Sequence, residues 1–209
     1  GTRPGPKDAN ERVPSTVATP GVSTANDTLE AGLQAFQRCE WPEAFAVLSE
    51  ADAAGALAPA HLEHLAEAAW WIGKSDECIK TRERAYAEYL KVDDRLRAAA
   101  VAIAVAEDCF HKLARSVAHA WMQRAERHLR ELPESTGHGW MARAQAMLAL
   151  EEERDLERAW TLAEQALEIA RRLGDRDLQT LALQDCGRIL VSRGRVSEGM
   201  AAIDEATAA

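Results

Sequence analysis

The chain has 209 residues, with 34 Asp and Glu against 25 Lys and Arg, so its formal net charge is −9 at pH 7. Contact with nucleic-acid phosphates needs clustered Lys and Arg, so we expect no direct nucleic-acid binding by this segment. The chain contains neither a run of about 20 apolar residues that could span a bilayer nor the basic and apolar stretches of a signal peptide. We therefore expect a cytoplasmic protein that does not bind membranes.

The first 27 residues carry four of the seven prolines and show no hydrophobic periodicity. Such a composition is typical of a linker rather than of a packed element. We predict a disordered linker or leader at 1–27 and a helical repeat domain at 28–209. Because the chain stops soon after the last repeat position, we expect the repeat domain to be truncated at its C-terminal end. Flanking domains are expected in the full protein.

Apolar residues recur at helical spacing from Thr28 onward, and no segment alternates with the period of two that a strand requires. Pro42 and Pro59 suit the first turns of the second and third helices, where the missing N–H of proline costs nothing. Gly137 and Gly139 predict a loop over residues 135–139. The helices whose bounds are clearest from the sequence are predicted at 28–39, 95–112, 116–132 and 140–153.

Small residues recur at a fixed spacing, best seen in the stretch from Leu183 to Ala206. Gly187, Gly199 and Ala206 are separated by 12 and 7 residues, and Gly194 marks a turn between them. Two helices pack closely only where a side chain is nearly absent, so this spacing predicts a helical hairpin. The four earlier copies are Gly32, Ala44 and Ala51; Ala66, Cys78 and Ala85; Ala106, Ala118 and Ala125; and Met147, Ala159 and Ala166.

This spacing resembles the tetratricopeptide repeat (TPR), whose small residues fall at repeat positions 8, 20 and 27. We predict an all-α superhelix of about five antiparallel helical hairpins. The match is weaker in the middle of the chain, because Met147 is large for position 8 and neither Leu113 nor Arg154 supplies a turn glycine. The alternative is an irregular helical bundle in which alanine recurs only because it is abundant.

Several strings also resemble the TPR arrays of LuxR-like transcriptional regulators of actinobacterial type, and arrays that follow cyclase or ATPase domains. The resemblance implies a cytoplasmic protein-interaction or sensing module of a signalling regulator, with the DNA-binding or catalytic domain outside this segment. No active-site residue of such a family is present. The strings lie at 67–73, 82–86, 138–140, 171–178 and 194–206.

Repeat arrays curve, and the first helix of each hairpin lines the concave side. In this register, positions 5, 9, 12 and 13 face inward, and Glu63, Glu67 and Glu107 are expected to repel one another on one wall. A protein or peptide partner, preferably a basic one, would relieve that repulsion. The alternative function is a small-molecule or peptide receptor with an acidic and aromatic groove. The candidate groove residues are Phe36, Glu63, Glu67, Trp70, Trp71, Glu107, Phe110, His111, Gln184 and Arg188.

Two other features have structural explanations as alternatives. Trp70 and Trp71 could belong to the core, and since adjacent helical residues point about 100° apart, we expect one of them to be buried. His61 and His64 have a spacing that can hold a metal, but no third ligand is evident, so solvated polar residues are favoured. The four cysteines form no CxxC motif and are expected to be buried thiols. We predict no enzymatic activity, no catalytic or metal-binding residue and no cofactor.

Overall fold

The computed structural model describes residues 20–55 and 57–208, with side chains from residue 26 onward. Within these ranges all regular secondary structure is helical, which confirms the predicted all-α fold. None of the described helices is long and apolar enough to cross a membrane. The helices are α1 (Pro20–Gln37), α2 (Trp41–Ala53), α3 (Pro59–Trp71), α4 (Ser75–Lys91), α5 (Arg95–His111), α6 (Arg115–Leu129), α7 (Thr136–Leu148), α8 (Leu156–Leu173), α9 (Arg176–Ser192) and α10 (Val196–Ala208).

The helices pair in order as five hairpins, and the first helices of successive hairpins contact one another, as α5 contacts α7 and α7 contacts α9. All but one of the fifteen predicted small positions are buried, which confirms the register. The last hairpin shows the reason most clearly. A Cβ atom at Gly187 would lie 2.7 Å from the Gly199 carbonyl oxygen, and one at Gly199 would lie 2.6 Å from the Gly187 carbonyl oxygen. The two helix backbones are therefore in direct contact.

The fourth hairpin departs from the predicted register by one residue. Met147 is only partly buried, whereas its neighbour Ala146 is fully buried in the cluster that contains Ala159. The spacing between the two packing positions is therefore 13 rather than 12 residues. The extra residue is accommodated by a π-helical turn, Ala149–Glu153, at the end of α7. The assignment of Met147 to position 8 was wrong, and Ala146 occupies that position.

Two helix starts also differ from the prediction. Helix α1 begins at Pro20 rather than Thr28, so residues 20–27 of the predicted linker are helical, while residues 1–19 lie outside the described part. Helix α7 includes residues 136–139, for which the sequence predicts a loop. Gly139 is needed there for packing, because a Cβ atom would lie 2.5 Å from Leu178 Cδ2 and 3.0 Å from Ile169 Cγ2. Tertiary packing thus overrides the local turn signal of glycine.

Eight connections between helices turn through a residue with left-handed backbone conformation. This conformation lets N–H groups after the turn bond to the last carbonyls of the preceding helix, as the Lys74 N–H does to the Ala69 oxygen. Half of the eight left-handed residues are not glycine. Leu113 and Arg154 adopt φ values of 59° and 54°, so the turns that lack glycine keep the same geometry as the others. The eight residues are Cys39, Gly55, Gly73, Asp93, Leu113, Arg154, Gly174 and Gly194.

Candidate functional site in the concave groove

A pocket of about 370 Å³ lies where α5, α7 and α9, the first helices of three successive hairpins, meet. Its walls come from the last turns of α5, from α7 with its π-helical turn, from Arg188 on α9, and from the start of α6. We call it the groove pocket. It is lined by Glu107, Phe110, His111, Leu113, Arg115, Arg143, Ala144, Met147, Leu148, Glu151, Glu152 and Arg188.

Four candidates from the sequence meet in the groove pocket, namely three residues of α5 and Arg188 of α9. Gln184 is exposed on α9 but does not line the pocket. The sequence reasoning missed the contribution of α7. With Ala146 at repeat position 8, Arg143, Met147 and Glu151 fall at the inward positions 5, 9 and 13, and all three line the pocket. The sequence did contain a signal for this register, because Ala146, directly before Met147, is a small residue that suits position 8.

The π-helical turn brings two adjacent glutamates to the same pocket wall. Arg188 Nη2 lies 2.7 Å from Glu151 Oε1, and Arg115 Nε lies 2.8 Å from Glu152 Oε1. Arg188 Nη1 also approaches the sulfur atom of Met147 at 3.1 Å. Insertions of this kind are uncommon in helices and occur frequently at functional sites. The turn therefore places two ion pairs at a pocket that is also lined by the apolar residues Phe110, Leu113, Ala144, Met147 and Leu148.

Arg143 connects the pocket to the interior of the protein. Its Nη1 atom donates a hydrogen bond to Glu107 Oε1 at 3.0 Å, and its Nε atom lies 2.9 Å from Asp185 Oδ2. The Nε and Oδ2 atoms are buried and neither has a hydrogen-bond partner, so their contact is an ion pair without hydrogen-bond alignment. Burial raises the pKa values of Glu107 and Asp185 above the ordinary range, and Arg143 opposes the shift in both. One guanidinium is shared by two carboxylates.

Aromatic side chains of the first two hairpins cluster at the ends of α1 and α3 and at the start of α2. The indole of Trp71 is 58% exposed and stacks on Trp41, with a distance of 5.6 Å between the ring centroids. Phe36 meets Trp41 edge-on at 5.4 Å. Trp70 is half-buried and its ring lies 5.2 Å from that of His111. Trp71 is therefore a surface residue, and of the two tryptophans Trp70 is the one that packs towards the core.

The three glutamates expected to repel one another do not form an uncompensated group. Glu63 Oε1 accepts hydrogen bonds of 2.5 Å from the Tyr89 hydroxyl and from Arg97. Glu107 is paired with Arg143, while Glu67 is exposed. Two of the three glutamates are thus neutralised by arginines, so the expected mutual repulsion was wrong. Their place on one wall of the groove stays a prediction.

The other candidate chemistry has a structural explanation. His61 and His64 have ring centroids 6.3 Å apart, and His64 packs against Phe36. Within the described ranges, no group of three or more His, Cys, Asp or Glu could hold a metal ion. Burial raises the pKa of the Cys78 thiol to about 12 and that of Cys186 to about 11, so both stay protonated near neutral pH. Cys39, in contrast, is exposed, although it was expected to be buried.

Comparisons with known proteins give the fold. No protein-family model matches the chain, and no significant match was found among curated protein sequences. Solved structures do match. A Rap protein complexed with competence and sporulation factor aligns with a TM-score of 0.72 at 15% identity, over 89% of this chain and 54% of that one. The chain has the fold of a TPR-like solenoid.

Two smaller proteins align over most of their own length as well. BtubC (BKLC) from P. vanneervenii gives a TM-score of 0.61 at 15% identity, over 90% of this chain and 88% of that one. A thermophilic TPR protein of Thermus thermophilus gives 0.59 at 14% identity, over 87% of this chain and 89% of that one. At these identities the likeness extends to the architecture and not to individual groove residues.

Proposed function

We propose that this chain is a protein-interaction module that binds a protein or peptide partner in its concave groove. The observation that carries the proposal is the groove pocket, which is lined by both apolar side chains and paired charges. Partners are usually held by an anchor side chain in such a pocket, surrounded by polar contacts that exclude water. The stack of Trp41 on the exposed Trp71 offers a further apolar surface at the first two hairpins.

We further propose that the module serves a bacterial signalling or transcriptional regulator whose DNA-binding, cyclase or ATPase domain lies outside this segment. The strings that resemble LuxR-like regulators support this context. The solved complex of a Rap protein with competence and sporulation factor supports it too, since a solenoid of similar fold there holds a second molecule. The cytoplasmic location and the absence of enzymatic activity remain predictions from the sequence.

A second candidate function is a small-molecule receptor. The volume of the groove pocket, about 370 Å³, lies within the range of roughly 300–1,000 Å³ that is usual for small-ligand sites. A small ligand would occupy the pocket alone, whereas a peptide would also cover the aromatic surface at Trp71. The two candidates therefore differ in whether Trp71 contributes to binding.

The test starts from peptides selected on the immobilised protein from a random library, with dissociation constants measured by fluorescence anisotropy. Arg188→Ala should change the dissociation constant by about tenfold or more, because it removes one wall of the pocket and leaves Glu151 without its ion-pair partner. Arg172→Ala is the matched control, since Arg172 is similarly exposed and paired with glutamates but lies at the end of α8. Equal affinities for both variants and the wild type would refute groove recognition.

A further inference from the structure

The groove pocket and the buried Asp185 behind it together contain four carboxylates and three guanidinium groups. Three glutamates and three arginines line the pocket, and Asp185 lies directly behind Arg143, only 2% exposed. Each arginine already has a carboxylate partner, so none is left free for an anion. The lining glutamates are Glu107, Glu151 and Glu152, and the lining arginines are Arg115, Arg143 and Arg188.

The excess negative charge lies beside Arg143, which pairs with both Glu107 and Asp185. Arg188, the second arginine near Asp185, is not available to neutralise it, because Arg188 lies 3.5 Å from Asp185 but 2.7 Å from Glu151. Arg188 and Arg115 are thus paired with Glu151 and Glu152, and Arg143 is the main partner of the other two carboxylates.

Of the two carboxylates that share Arg143, only Glu107 is accessible from the groove. Its side chain is 37% exposed and lines the pocket. Phe110 and His111 follow it on the last turn of α5, and Met147 faces it from α7. An accessible carboxylate beside aromatic and thioether groups suits an extended side chain that has an apolar stem and a charged tip.

We propose that the groove pocket receives a positively charged side chain of the partner, with its ammonium or guanidinium group at Glu107 and its methylene stem against Phe110 and Met147. This inference rests on the proposed function, because it names the ligand chemistry of the same groove. Glu107 and Asp185 share the single charge of Arg143, and the incoming group adds a second positive charge beside them. An anionic side chain would instead have to displace a glutamate from its arginine.

The probes are three tripeptides of identical frame, acetyl-Leu-X-Leu-amide, with Lys, norleucine or Glu at X. Their dissociation constants are measured with the full chain by NMR titration. We expect the Lys peptide to bind with a constant near 1 mM or below and at least about tenfold more tightly than the Glu peptide. Comparable affinities for the Lys and Glu peptides, or no binding of any peptide up to about 10 mM, would overturn the proposal.

Glu107→Gln should reduce the affinity for the Lys peptide to that for the norleucine peptide. Glu50→Gln, an exposed glutamate on α2, is the matched control and should change neither. If Glu107→Gln does not fold, the comparison of the Lys and Glu peptides on the wild-type protein still decides. If Arg188→Ala changes the affinity for the library-selected peptides by about tenfold while the Lys and Glu tripeptides bind equally, the groove function stands and the cation site fails.

Discussion

Adding one methyl group at Gly199 should destabilise the last hairpin. In an unobstructed helix, Gly→Ala stabilises by about 0.5–1 kcal/mol, because alanine loses less backbone entropy on folding. At Gly199 the new Cβ atom would lie 2.6 Å from the Gly187 carbonyl oxygen and 2.9 Å from the Val191 nitrogen. These are backbone atoms, so no flexible side chain can move aside and α10 has to shift away from α9.

Overpacking costs about 1–3 kcal/mol, and the close contacts with backbone atoms place Gly199 in the upper half of that range. After the gain in helix propensity is subtracted, we expect a net loss of about 1–2 kcal/mol for Gly199→Ala. Urea unfolding followed by far-UV circular dichroism measures the loss, and hydrogen exchange should locate it in α9 and α10, since each repeat contacts mainly its neighbours. Val191→Ala in the same background should recover only part of it. That second change removes the contact of 2.7 Å with Val191 Cγ2 but leaves the contact with Gly187.

The control is Ala201→Gly, at an exposed site on the same helix. It reports the helix-propensity contribution alone and should cost about 0.5–1 kcal/mol. If Gly199→Ala instead gains the stability that Ala201→Gly loses, the two helices are not in backbone contact at this crossing. The repeat register on which the groove assignment depends would then be refuted.

Two further predictions concern a turn and a buried carboxylate. Leu113→Gly should stabilise the protein by about 0.5–1 kcal/mol in urea unfolding, because it removes left-handed strain at φ 59°, whereas Gly194→Ala should destabilise it by about 1 kcal/mol. Burial raises the pKa of Asp185, so the folded state binds its proton more tightly than the unfolded state. The wild type should therefore gain stability relative to Asp185→Asn as the pH falls from neutral through that raised pKa, and a flat difference would contradict this.

Much of the fold could be predicted because hairpin packing depends on local spacing. Gly187 and Gly199 sit 12 residues apart, and the requirement for a missing side chain at their crossing is visible in the sequence itself. The same local reasoning failed at Gly137 and Gly139. Glycine is a turn signal by default, and only the packing of Gly139 against Leu178 and Ile169 shows why it is needed inside a helix.

The groove was predictable in outline but not in its electrostatics. Phe110 and His111 could be placed at inward positions from the repeat register alone. The pairing of Arg143 with Glu107 joins residues from different hairpins, so it depends on the pitch of the superhelix rather than on any spacing within one helix. The π-helical turn adds a second difficulty, because its extra residue shifts Met147 from a packing position to a position that faces the groove.

Photo-crosslinking tests the central claim, that the concave groove is the recognition surface, most directly. A photoreactive benzoylphenylalanine replaces either His111, in the groove pocket, or Val117, an exposed residue on α6, the second helix of the same hairpin. Each protein is irradiated with a library-selected peptide, and the adducts are quantified by mass spectrometry. The account predicts an adduct from position 111 and none from position 117. An adduct from position 117 alone would contradict it.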